Sequence, residues 1–205
     1  MDRPTRAVRS QEDFVVTELD WIHLPEGASA TSLWSCLHDG NVRRITASAL
    51  ERTAEVEVHV AHLVEKIQPD LHFILRFERV SALRAVAREP WPGPTGVEPG
   101  QSPAEREAAI AAYGEKWRFV SMSWSELEAE FTRGFLDVSD ASVAQGDGRV
   151  AFRLGGMRDS DWRELFISAG SLTILRSDGD PFDLEALVAL GDAYWEEFAR
   201  SRPST

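Results

Sequence analysis

One cysteine, Cys36, is all that the 205 residues contain. It excludes an internal disulfide and leaves no second thiol for a cysteine-based metal site, a pattern that fits a reducing compartment. Long apolar runs are missing as well. The opening Met1-Asp2-Arg3-Pro4-Thr5-Arg6-Ala7-Val8-Arg9 lacks the hydrophobic stretch of a signal peptide, and no segment approaches the length of a membrane span. The expectation is a soluble, cytoplasmic chain with no membrane partner. Catalytic motifs are also lacking: there is no Gly-x-Ser-x-Gly elbow and no phosphate-binding glycine loop. Gly155-Gly156 follows a predicted strand, but Met157-Arg158-Asp159 lacks the further glycine and the helix of a dinucleotide fingerprint. A strand-end turn is expected there, and no cofactor.

Basic charge is scarce. The chain carries 22 Lys/Arg against 34 Asp/Glu, a net −12, and 20 of the basic residues are arginine. Residues 1–90 hold a net −3 and residues 91–205 a net −9. Such a field repels phosphate backbones and anionic lipid and attracts basic proteins, so nucleic acid is not an expected partner.

What the sequence has is a sentence written twice. Trp34-Ser35-Cys36-Leu37 recurs as Trp124-Ser125-Glu126-Leu127, Val56/Val58/Val60 as Val150/Phe152/Leu154, and Phe73-Ile74 as Phe166-Ile167. Val80 to Arg84 answers to Leu172 to Arg176, and the spacing between copies stays between 90 and 94 residues. This divides the chain into a leader (1–30), a first repeat (31–87), a Pro/Gly-rich linker (88–103) and a segment 104–200 holding a helix, the second repeat and a C-terminal helix. Period-two alternation, clearest in Glu55-Val56-Glu57-Val58-His59-Val60, predicts antiparallel strands with one wet and one buried face. Ser102-Pro103-Ala104-Glu105 predicts a helix start, and Gly146-Asp147-Gly148 a hairpin turn. Asp180-Pro181 is expected to cap a last helix carrying a stripe of Phe182, Leu184, Leu187, Val188, Gly191, Tyr194, Trp195 and Phe198. The expected fold is α+β: two tandem copies of an antiparallel strand unit, each followed by a helix laid on its apolar face, packed as a pseudo-twofold duplicate.

Candidate sites are few. His59 and His62 have the spacing of a helical metal pair, but on a strand residues three apart face opposite sides, so no metal site is expected. His38-Asp39 lacks the further ligands of a metal-dependent phosphohydrolase and suits a turn. Asp178, Asp180 and Asp183 lack the spacing of a calcium loop and suit helix capping. Trp34 and Trp124, equivalent in the two copies, are expected in the core. Trp91 falls in the linker and Trp162 in an expected polar loop, where each ring either anchors a partner or packs on its own loop.

A resemblance enters at Leu37-His38-Asp39-Gly40-Asn41-Val42, continued by an acidic alternating hairpin and Phe77-Glu78-Arg79-Val80-Ser81-Ala82-Leu83. Residues 37–83 resemble small β-rich bacterial proteins, some of them grouped with immunity proteins of toxin systems. The second copy has Glu128-Ala129 where His38-Asp39 would fall. The resemblance implies no chemistry that carries over residue by residue. The functional expectation is a protein-binding module, immunity- or inhibitor-like, meeting a basic partner through Asp159, Asp161 and Trp162. The alternatives are an enzyme whose inter-repeat cleft gathers His38, His59 or Glu57, and a homo-oligomeric assembly subunit.

Overall fold

The computed structural model describes residues 29–63, 72–89, 98–114, 118–122, 126, 129, 136–158 and 161–201. The leader strands expected before residue 29, Trp91 and Trp124 lie outside the described residues.

Eleven strands form one antiparallel sheet: β1 (Ser29–Ser32), β2 (Asn41–Ser48), β3 (Thr53–His59), β4 (His72–Glu78), β5 (Ala82–Glu89), β6 (Arg118–Met122), β7 (Leu136–Gly146), β8 (Arg149–Arg158), β9 (Asp161–Ala169), β10 (Ser171–Arg176) and β11 (Pro181–Phe182). Among the described residues the longer helical segments are α1 (Trp34–Leu37), α2 (Pro103–Gly114) and α3 (Leu184–Ser201). Among the described residues, no helix is long and apolar enough to cross a membrane.

The strand order is β11-β10-β4-β3-β2-β7-β8-β9-β5-β6, with β1 beside the far part of β7. β2 and β7 meet at the centre through Asn41↔Asp137 and Val42↔Leu136. The fourth strand of each half does not stay with its neighbours. β5 crosses to β9, pairing Leu83 with Ile167, while β10 crosses to β4, pairing Leu172 with Phe77. Bulges at Val42/Arg44 and Val138/Asp140 bend the central strands.

This bend settles where the core sits. Helices were expected over the apolar faces; α1 and α3 do bury Leu33, Cys36, Leu37 and Leu187 in the core, and the two half-sheets cover one another as well. Phe77 of β4 and Phe152 of β8 meet with centroids 5.1 Å apart, and one continuous cluster joins Val56, Val58, Phe73 and Leu75 to Val143, Leu154 and Ile167. β3 buries Ala54, Val56 and Val58 and turns Glu55, Glu57 and His59 outward, as its alternation predicts.

Local chemistry explains the boundaries. Asp147 and Gly148 both take positive φ (50° and 69°), the conformation a two-residue hairpin requires between β7 and β8. At α2 the Ser102 Oγ accepts from Glu105 N at 3.4 Å while Glu105 Oε2 accepts from Ser102 N at 2.8 Å, a reciprocal capping box. The start of α3 differs from expectation. Pro181–Phe182 pairs with β10, Asp180 N donates to Asp178 Oδ1, and the cap is Asp183, whose Oδ1 accepts from Ala186 N at 2.9 Å. Phe182 therefore packs its ring on Phe73 from a strand, 5.5 Å away, rather than from the helix.

Candidate functional site

Asp159 lies outside the described residues, and Asp161 begins β9 opposite Arg158. Trp162 is on that strand, not in a loop, and is half-buried. Its ring lies over Gly155, where a Cβ would come within 2.6 Å of the indole. The Trp162 Nε1 donates to Glu164 Oε1 at 2.8 Å, and the same carboxylate oxygen accepts from Arg153 Nη2 at 3.1 Å. Arg153 Nη1 in turn reaches Asp140 Oδ2 at 2.8 Å. Gly155-Gly156, expected as a strand-end turn, lies inside β8 for this reason: the strand must pass under an indole on one face and close to the Asp137 carbonyl on the other. Trp162 is thus held by its own sheet.

Of the residues wanted for an inter-repeat cleft, Glu57 and His59 share the outward face of β3 and His38 stands at the end of α1. Glu57 lies on the outward face of β3, 3.4 Å from Arg44 Nε and 3.9 Å from His72 Nε2. Glu55 pairs there with Arg76 at 2.7 Å. His59 ends the same strand on the same face. His38 instead closes α1, its Nδ1 3.2 Å from Asp39 Oδ1, close enough for an ion pair but not aligned for a hydrogen bond.

What the fold brings together is an aromatic shelf on α1 and α3. Leu33, Cys36 and Leu37 enter the core at the spacing of one helical face, so Trp34 and Ser35 must point away from it. Trp34, expected in the core, is 40% exposed. The structure lays it against α3, whose Gly191 lets the two backbones touch. Trp195 Nε1 donates to the Ser35 carbonyl at 2.8 Å and fixes the crossing. The Trp34 ring then lies 5.1 Å from Trp195, tilted by 30°, and 4.7 Å from His38. Phe198 continues the shelf, edge-on to Trp195 at 5.5 Å and 36% exposed.

His62 supports the shelf from behind. β3 ends at His59 and residues 61–63 make a helical turn, which swings His62 to within 4.8 Å of Tyr194 and 5.9 Å of Trp195. Both ring nitrogens are buried, and among the described residues neither has a partner aligned for a good hydrogen bond. Burial lowers the His62 pKa; the Ser35 carbonyl and Asp39 oppose this and His38 adds to it. Cys36 beneath the shelf is inert: its Sγ donates to the Leu33 carbonyl at 3.3 Å, and burial pushes the thiol up to about 12.

Beside the shelf, α3 and the β1–β7 ribbon enclose a groove of about 390 Å³. Leu184 and Val188 contribute apolar wall, Thr31 and Gln145 come from the strands, and Glu185 and Asp192 are exposed carboxylates on the helix. Asp192 is near enough to α1 to raise the Cys36 thiol electrostatically. Among the described residues no three His, Cys, Asp or Glu side chains gather as metal ligands. Of the residues named for the expected site and the cleft alternative, His38 lies at this surface; the signal for Trp34 was the Leu33/Cys36/Leu37 spacing, which leaves it outside. Comparison with protein-family models, curated proteins and solved structures finds no match to this chain, so the site rests on its own geometry.

Proposed function

We propose that this chain is a protein-binding module, immunity- or inhibitor-like, which works in the cytoplasm against a basic partner protein. The observation that carries the reading is the Trp34–Trp195–Phe198 shelf, large aromatic surface left in solvent beside the carboxylates of an acidic helix. Aromatic rings anchor interfaces because they bury much area with little side-chain freedom to lose, and complementary charge accelerates encounter. The aromatic anchor in this reading is Trp34 in place of Trp162, whose indole is engaged by Glu164. Asp159 and Asp161 remain as part of the steering field. A self-associating subunit fits less well, since two chains of net −12 repel.

Affinity capture from the native lysate at low and raised salt, followed by reconstitution with the purified partner, tests this. A basic protein that binds stoichiometrically and weakens with salt is the expected outcome; capture of no such protein refutes it.

We further propose that the chain is a tandem duplicate with exchanged fourth strands. What supports this is the strand order, which reads the same from either end when β2–β5 are traded for β7–β10. The copies differ at their first hairpins, four residues between β2 and β3 against two between β7 and β8.

A further inference from the structure

We infer that the shelf and its adjoining groove receive an arginine-bearing segment of the partner, with a guanidinium lying over the face of Trp34. This rests on the protein-binding reading and gives it a chemistry. A planar guanidinium stacks on an indole while its edge donates to carboxylates, which a compact ammonium does less well. Trp34 presents an indole 40% exposed, already backed by Trp195 at 5.1 Å, so little ordering remains when a ligand arrives. Asp192 stands close to α1, and Glu185 lies along the same groove. The apolar wall of Leu184 and Val188 fits the aliphatic stem of a neighbouring basic residue.

Other occupants fit less well. A nucleic-acid base could stack on Trp34, but its phosphate would then approach Asp192 and Glu185 within a half-chain of net −9. A second copy of this chain would bring the same sign of charge. Lysine would gain the charge contacts without the stacking.

The probe is acetyl-Arg-Gly-Arg-amide, titrated into the labelled full chain while the tryptophan indole N–H resonances are followed by NMR. The lysine peptide and the neutral citrulline peptide serve as comparisons. The expected result is a saturable shift of the Trp34 indole with the arginine peptide, a weaker one with lysine and none with citrulline. Trp34→Leu and Asp192→Asn should each weaken binding by about two- to fivefold, the range of exposed cation–π and charge contacts. Glu55→Gln, on the outward sheet face beside Arg76, should leave it unchanged. No Trp34 shift with the arginine peptide, or an equal shift with citrulline, overturns the inference. Because Asp192 is exposed, its Asn variant keeps the test open if Trp34→Leu fails to fold. The two readings also fail separately. A captured partner that binds the Trp34→Leu/Asp192→Asn double variant as tightly as wild type removes this surface but leaves the binding module. Absence of any salt-sensitive partner, with the peptide titration intact, removes the module and leaves the arginine site.

Discussion

Gly191→Ala should destabilise the protein, although helix propensity alone says the opposite. In an exposed helix interior alanine is favoured over glycine by about 1 kcal/mol. At position 191, however, the new methyl would sit 2.5 Å from both the carbonyl carbon and oxygen of Ser35 and 2.6 Å from Cys36 N. Ordinary carbon contacts begin near 3.5 Å, so the overlap is roughly 1 Å, and the opposing atoms are backbone that no rotamer change can move. The helices must part by a similar distance. Doing so stretches the 2.8 Å bond from Trp195 Nε1 to Ser35 and opens the packing of fully buried Leu187. Overpacking of this kind costs about 1–3 kcal/mol and loss of one hydrogen bond about 1 kcal/mol. With the propensity gain subtracted, the expected net loss is about 1–3 kcal/mol, a fall in Tm of roughly 2–12 °C for a chain of this size. Urea and thermal unfolding measure it. Ala193→Gly, on the exposed face, calibrates the propensity term in the same helix. The Trp195 indole resonance and the exchange of α3 amides report whether the crossing has loosened. A Gly191→Ala protein as stable as wild type, with that indole resonance unmoved, would refute the close approach and the rigidity of the shelf with it.

Cys36 should resist a thiol reagent at pH 8 in the native protein and react fully after unfolding in denaturant, since burial holds its pKa at about 12; rapid native labelling would contradict its place under the shelf. His62 sets a pH dependence of definite sign. Its folded pKa is below 6.5, so the unfolded chain takes up the proton first; stability is full above 6.5 and declines as pH falls through that value toward the folded one. His62→Phe should flatten this decline relative to wild type in urea titrations, and parallel profiles would reject the assignment. Phe152→Ala should cost about 3–5 kcal/mol. A double-mutant cycle with Phe77→Ala should give a coupling of about 0.5–1.5 kcal/mol, whereas additive losses would deny that the two half-sheets pack face to face. A fragment covering residues 29–89 should fail to fold alone, because β5 belongs to the sheet of the other half; a cooperative unfolding transition from it would exclude the exchange.

The strands were legible where their information is local. Alternation around Val56 and Val58, the Asp147-Gly148 turn and the Ser102–Glu105 capping box are all decided within a few residues, and each stands where the sequence predicts it. The crossing of β5 to β9 and β10 to β4 was not legible. A strand with apolar alternation records that it has a buried face, not which neighbour supplies its hydrogen bonds. The same limit explains why helices alone were expected over the sheet, where α1 and α3 supply only part of the cover. An apolar sheet face demands a cover, and nothing in Phe77 or Phe152 says that the cover is another part of the same sheet.

The tryptophans show how site and core are confused at the level of sequence. Trp34 was assigned to the core through its likeness to Trp124, yet a helix of one turn has room for one buried face, and Leu33, Cys36 and Leu37 already occupy it. The acids around Trp162 suggest a polar loop and leave open whether its ring is a partner anchor, yet alternate residues of β9 point to opposite faces, so its charged neighbours in sequence say nothing of what lies beneath its ring. In both cases the deciding fact is a contact that local sequence does not carry, one across 160 residues and one across neighbouring strands: Trp195 reaching Ser35, and Gly155 clearing space for Trp162. A tryptophan whose Nε1 bonds within the fold, as Trp162 does to Glu164, has its polar end satisfied and its ring seated. Trp34 uses its face against Trp195 and keeps two-fifths of its surface in water, packed on the helix whose Glu185 and Asp192 line the groove. That difference in how each ring is held, more than any difference in local sequence, is why the proposed binding surface is drawn on α1 and α3.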